Sequence, residues 1–262
     1  YYDISVKGTV KASALTEGLT IKTDKLYINA ENKENVSPKA KGYNYAVVGS
    51  GNGQYPDFRT DTEILAESGC TVNASGDAYI NASNEAHYDM KNEGSAATVV
   101  AVPSFTRTYI TLKNLTEVNI KGVINAGNLT VQALNSVDNT ALSTASAYAA
   151  GTAASSVIEH TAADLGTYVK LSGAELNSVK DMTVLAKSDH VFKSTVTGRA
   201  GAALAFGTMK GYQDVTDNVE VILNGAQLKA PEGRVDILTL ASADDSIKAE
   251  AGQGGLYSDV DY

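Results

Sequence analysis

Short runs of alternating apolar and polar residues recur along the chain, and several of them lead directly into a glycine. Alternation with a period of two is typical of β-strands that bury one face, and a glycine permits a sharp bend after such a strand. The pattern therefore predicts repeated copies of a strand followed by a bend. The five runs of this kind are 4–8, 64–69, 118–122, 169–173 and 221–225.

Each of these glycines is followed by two further short strand-like runs, as in 173–178 and 182–186. Such short strands are not stable alone, but stacked copies bury their inward side chains against one another. The repeat therefore predicts an all-β fold, a right-handed parallel β-helix (β-solenoid). Because the sequence opens without an initiator Met, residues 1–262 are expected to be one segment of a larger protein. Gly8, Gly69, Gly122, Gly173 and Gly225 lie 61, 53, 51 and 52 residues apart.

The length of the repeat bears on the number of rungs. About 52 residues with five or six strand-like runs is long for a single coil, so we expect roughly two rungs in each repeat. At about 4.7 Å per rung, some ten rungs would form a rod on the order of 45–50 Å long. The segment rich in small residues at 143–151 is expected to form tight rungs with alanine and glycine facing inward, and a surface helix around 141–150 is the alternative.

The widest spacing, between the first two glycines, indicates an insertion at 31–62, which we expect to form a protruding loop. Tyrosine and phenylalanine rings are concentrated there, and an exposed tyrosine suits contact with sugar or protein surfaces. Alternatively, the rings pack the loop onto the solenoid. The candidate binding residues are Tyr43, Tyr45, Tyr55 and Phe58.

The amino-acid composition and net charge restrict both the kind of core and the classes of binding partner. Apolar residues make up 43% of the chain, but it has no Trp, four Phe and a single Cys, so Val, Ile, Leu and Ala must form the core. With 30 acidic against 21 basic residues, the net charge is -9. Such a chain repels nucleic acid and anionic bilayers, so neither is an expected partner. Cys70 has no second cysteine for an intrachain disulfide or a cysteine-rich zinc site.

Parallel β-helices include polysaccharide lyases and glycoside hydrolases, so the sequence must be compared with the requirements of catalysis. Hydrolases need converging carboxylates, but neighbours on a strand such as Asp244 and Asp245 point to opposite faces, and Asp214 and Asp217 form only a loose cluster. Sequence motifs of metalloproteases, serine hydrolases and nucleotide-binding loops are absent. We therefore predict no enzymatic activity, no cofactor and no metal. The three histidines, expected to be exposed and structural, are His87, His160 and His190.

The recurring runs of alternating strand, glycine, second strand and alanine-rich stretch resemble the filamentous haemagglutinin-type large adhesins, most closely the fusobacterial leukotoxin-like filamentous adhesins. The resemblance implies a non-catalytic virulence protein of Gram-negative bacteria that is secreted or displayed at the cell surface and associated with the outer membrane. It implies export by an outer-membrane translocator and binding to a host-cell or bacterial surface protein or glycan. Cys70 would be a small buried residue where two other copies carry alanine. The segment itself is expected to be monomeric.

Two other functions remain open at this point. A carbohydrate-active β-helix enzyme would turn over oligosaccharides. A phage or secretion-system fibre segment would form trimers in solution.

Overall fold

The computed structural model describes the backbone of residues 2–44, 50–254 and 257–261, and the side chains of 7–12, 15–43 and 53–252. Within this part of the chain all regular structure is β-strand, in three parallel sheets. No helix among these residues is long and apolar enough to cross a bilayer.

The chain visits the three sheets in turn. The first sheet contains β1 (Tyr2–Leu15), β5 (Ser50–Ala66), β8 (Ala101–Ile120), β11 (Thr152–Ser172), β14 (Leu204–Asn224) and β17 (Tyr257–Asp261). The second contains β2 (Thr20–Thr23), β6 (Thr71–Ala74), β9 (Val123–Ala126), β12 (Glu175–Ser178) and β15 (Gln227–Lys229). The third contains β3 (Leu26–Val36), β4 (Lys39–Asn44), β7 (Ala78–Thr98), β10 (Leu129–Ala149), β13 (Met182–Gly201) and β16 (Val235–Gly254).

Strands of one sheet pair in register with the strands one repeat before and after. Leu129 of β10 lies opposite Ala78 of β7 and opposite Met182 of β13. We call one passage through the three sheets a coil, and the residues at the same position of successive coils a column. The predicted parallel β-solenoid and its repeat of about 52 residues are confirmed.

The prediction of two rungs per repeat is wrong, because each repeat forms one coil. The runs assigned to a second rung are parts of long strands; β7, β10, β11 and β14 each have 21 residues. Five passages through the second sheet at about 4.8 Å each give a height of roughly 24 Å, half the predicted length. The long strands make each coil roughly 70 Å wide, so the solenoid is flattened.

The predicted protruding loop at 31–62 is also wrong. Apart from 37–38, which connect β3 to β4, its described residues lie in β3, β4 and β5, which pair with β7 and β8. The spacing of 61 residues between Gly8 and Gly69 is wide because Gly8 is not at a bend. It lies in the middle of β1, opposite Thr60. The structural equivalent of Gly69 is Gly18, 51 residues earlier, and both glycines have positive φ values, 82° and 74°. Measured at the second sheet, the first coil therefore has 51 residues and the next three have 52 each.

The core changes in character along the coil. Where the three sheets meet at the second sheet, inward Val, Ile, Leu and Ala stack on their counterparts, and Cys70 is buried among them in the column of Ala174, as predicted. At the opposite end only the first and third sheets face each other, across alanines such as Ala147 and Ala153. The inward, buried Ala145 and Ala147 of β10 confirm the prediction for 143–151.

Asparagine ladders join consecutive coils. Inside the solenoid, Asn32 Nδ2 donates to Asn84 Oδ1 and Asn84 Nδ2 to Asn135 Oδ1, both at 2.9 Å. On the outside of the second sheet, Asn125 and Asn177 each donate to the asparagine one coil before at 2.8 Å. An amide can donate and accept at once, as Asn84 and Asn125 do in the middle of these two ladders.

Glu159 is a buried carboxyl between the two long sheets, where Thr161 Oγ1 donates to its Oε1 at 2.6 Å. Burial raises its pKa above the usual range because the charged form loses hydration. Since the folded pKa exceeds the unfolded one, the stabilisation from the protonated form is complete below the unfolded pKa and is lost as the pH rises through the folded pKa.

Glu159→Gln is therefore expected to raise the melting temperature at pH 7–8 and to flatten its dependence on pH. Thermal unfolding between pH 4 and 8 measures this effect. The control Glu175→Gln, on the outer side of β12, should change stability by less than about 0.5 kcal/mol. A Glu159→Gln variant less stable than the wild type at pH 8 would contradict the account.

Candidate binding face

A column of aromatic side chains crosses four coils on the outer face of the first sheet. Tyr55 stacks on Tyr109 with ring centroids 5.5 Å apart and planes inclined by 5°. The His160 ring makes edge contacts at 6.0 Å with Tyr109 and at 5.9 Å with Tyr212. The in-register pairing of β5, β8, β11 and β14 places these residues one above another. We call Tyr55, Tyr109, His160 and Tyr212 the aromatic column.

The aromatic column remains accessible to solvent. Tyr109 is 36% exposed and Tyr212 is 48% exposed. His160 Nε2 lies 2.8 Å from Asp214 Oδ2, which orients the imidazole ring between the two tyrosines. The column therefore presents flat apolar rings and hydroxyl groups at a regular spacing, and contacts between neighbouring rings fix their positions.

A second column, four residues further along the same strands, consists of cations. Lys7, Arg59 and Lys113 occupy one position of three consecutive coils and are all exposed. Arg59 Nη2 lies 3.3 Å from Asp61 Oδ2. We call these three residues the cationic column.

A shallow groove of about 390 Å³ runs between the two columns. Its sides are the aromatic rings and the cations, and its floor carries Asp57 and Thr111. Two smaller hollows of about 260 and 230 Å³ continue it on the same face. The residues lining the main groove are Lys7, Tyr55, Pro56, Asp57, Arg59, Tyr109, Thr111 and Lys113.

The four residues singled out from the sequence do not form one site. Tyr55 belongs to the aromatic column, whereas Phe58 is 0% exposed and stacks on the buried Tyr88 at 4.6 Å. Tyr43 is 65% exposed but lies on the third sheet, in β4. Tyr45 lies outside the described residues. The choice of Phe58 as an exposed binding residue was wrong because consecutive even positions of β5 face the interior.

Sequence reasoning missed Tyr109, His160 and Tyr212 as binding residues. A signal existed, since these residues follow Tyr55 at intervals of 54, 51 and 52, close to the repeat. Aligning the copies in their structural register would have placed the four rings in one column.

His190 differs from the prediction of an exposed histidine. It is buried between the first and third sheets, with Nδ1 3.1 Å from Asp217 Oδ2 and Nε2 3.4 Å from Asp245 Oδ2. The imidazole thus links β13 to β14 and β16 across the interior. His87 and His160 are half-buried on the outer surface, where each contacts an aspartate of the next coil.

Acidic side chains close in sequence are separated by the strands. Asp244 faces outward to Lys193 and Asp245 inward to His190, as the alternation predicts. Asp214 and Asp217 likewise contact histidines on opposite sides of the first sheet. Asp57 and Asp214 share one outward column but are three coils apart, about 14 Å. Paired carboxylates of glycoside hydrolases are about 5–9.5 Å apart.

Among the described side chains, no group of three or more His, Cys, Asp and Glu is arranged to hold a metal ion. Comparison with family models, with curated proteins and with solved structures finds no match to the chain.

Proposed function

We propose that the chain is a non-catalytic repeat segment of a secreted or surface-displayed bacterial adhesin, and that the outer face of the first sheet contacts the target surface. The observation that carries this proposal is the aromatic column, which repeats the same kind of side chain at the same place over four coils. A solenoid of this kind is a stiff support for a regular array of contacts.

The spacing of Asp57, in the main groove, and Asp214, in the hollow beside the aromatic column, favours binding over hydrolysis. Asp57 and Asp214 are too far apart to act on one glycosidic bond, as their separation of three coils implies. The groove is open and shallow rather than enclosed, which suits reversible contact with an extended partner.

Adhesion would rest on many weak contacts. Aromatic side chains recur over four coils, and every additional contact formed by an already bound solenoid is an intramolecular event with a high effective concentration. The partner is a protein or glycan on a host cell or neighbouring bacterium, reached after export through an outer-membrane translocator.

The test compares binding of the purified, fluorescently labelled chain to epithelial and bacterial cells. Replacing Tyr109 and Tyr212 with Ala is expected to reduce binding at least fivefold, because both exposed rings leave the face. The matched control replaces Tyr27 and Tyr79, a ring pair on the outer side of the third sheet at 6.4 Å, and should bind like the wild type.

Equal loss in both double variants, or no binding by the wild type, would contradict the proposal. Turnover of oligosaccharides by the purified chain would favour an enzyme instead, and a mass of three chains in solution would favour a fibre segment.

A further inference from the structure

The geometry points to an anionic polysaccharide as the ligand of the groove between the aromatic and cationic columns, bound along the solenoid axis with one sugar per coil. This inference rests on the proposed adhesive function and names its ligand class. The ligands of this class are sugar chains that carry carboxylate or sulfate groups.

The groove is more positively charged than the protein as a whole. The protein carries a net charge of -9, yet the groove is lined by three cations, Lys7, Arg59 and Lys113, against one carboxylate, Asp57. Asp61 lies beside the groove and pairs with Arg59, so the cations outnumber the nearby carboxylates by three to two. A local positive surface on an acidic protein attracts anions at short range while the remainder of the molecule repels them. The groove therefore selects an anion that can enter it as a narrow chain.

The spacing of the cations matches the repeat of a sugar chain. The cationic column runs along the axis with a step of about 4.8 Å per coil, comparable to the length of one pyranose residue. A polysaccharide with an acidic group on every sugar could place one anion beside each cation. Arg59 Nε and Nη2 lie 3.3 Å from Asp61 Oδ2, so the guanidinium can donate its remaining N–H groups to a carboxylate or sulfate of the ligand.

The width of the groove fits one sugar chain. The aromatic and cationic columns are four residues apart along the strands, about 13 Å, which leaves room for a single sugar chain between their side chains. The rings of Tyr55 and Tyr109 form one side and can contact the apolar C–H groups of the sugars. Thr111 and Asp57 on the floor can accept hydrogen bonds from sugar hydroxyls.

The experiment measures binding of the complete chain to polygalacturonate, to a sulfated galactan and to a neutral galactan by calorimetry at low and physiological salt. We expect binding to at least one acidic polysaccharide and none to the neutral one. Whether the carboxylate or the sulfate polymer binds identifies the anion. Affinity should fall as salt increases, because these exposed charges are screened.

The decisive variant replaces Lys7, Arg59 and Lys113 with Gln. It should weaken binding to the acidic polysaccharide at least tenfold. The matched control replaces Lys22, Lys180 and Lys229, exposed cations at the second sheet and its adjoining turn, and alters the net charge equally. This control should retain wild-type affinity, and thermal unfolding verifies that both variants are folded.

The inference is overturned if neither acidic polymer binds, if the neutral galactan binds equally well, or if both triple variants lose affinity alike. Equal binding of duplex DNA would also overturn it, since the groove would then select charge alone. Wild-type protein that adheres to cells but binds no acidic polysaccharide refutes the ligand class and leaves the adhesive function standing. Protein that binds polysaccharide but no cell refutes the adhesive function.

Discussion

Replacing Phe58 with Ala is expected to lower the free energy of unfolding by about 3–5 kcal/mol. The Phe58 ring is fully buried between the two long sheets and stacks on Tyr88, whose hydroxyl donates to Glu34 Oε2 at 3.1 Å. Truncation would remove this contact and leave a cavity that the paired strands cannot close by moving together. Chemical denaturation monitored by circular dichroism measures the loss.

Tyr43→Ala is the control for this experiment, because Tyr43 is largely exposed on the outside of β4. It should change stability by less than about 0.5 kcal/mol. A Phe58→Ala variant with wild-type stability and impaired cell binding would show that the ring is a contact residue, as the sequence alone had indicated.

Replacing Gly122 with Val is expected to destabilise the fold by about 3 kcal/mol or more, because the corner has no room for a side chain. Even a Cβ atom there would collide with Cys70 Sγ and lie 2.6 Å from the Cys70 carbonyl oxygen one coil before. The melting temperature measures this effect. Cys70→Ala should not rescue the variant, since the backbone oxygen remains.

Gly8→Ala provides the matched control. A Cβ at Gly8 would lie 3.6 Å from Asn32 Oδ1, an ordinary contact, and the residue is in mid-strand. It should unfold close to the wild-type temperature. If Gly8→Ala proved the more damaging of the two changes, the assignment of Gly8 to a strand and of Gly122 to a corner would be wrong.

Gly8 and Gly18 illustrate why the repeat could be predicted from the sequence but its first copy was assigned to the wrong glycine. Gly8 and Gly18 both follow runs with a period of two, and nothing local shows which one turns the corner. The positive φ of Gly18 and the pairing of Thr20 with Thr71 settle the question, because register is a property of two strands and not of one.

The number of rungs was misjudged for a different reason. The far halves of the long strands carry Ala, Ser, Thr and Gly at inward positions, as in 143–147 of β10, so the apolar alternation weakens there. Small residues are favoured because the two sheets approach closely: a Cβ on Gly94 would lie 2.6 Å from Thr106 Oγ1. The weak alternation suggested separate short strands, but these residues form one long strand in a narrow part of the solenoid.

The sequence by itself determined that the protein is an all-β parallel solenoid with a repeat of about 52 residues, because similar copies can bury their alternating faces only against one another. It also determined the place of Cys70 in that core. Only the tertiary structure decided that one repeat forms one coil and that Phe58 faces inward. It alone aligned Tyr55 with Tyr109, His160 and Tyr212 beside a row of cations. Residues some 52 positions apart become neighbours through strand register, which arises from pairing across coils and cannot be deduced from a single strand.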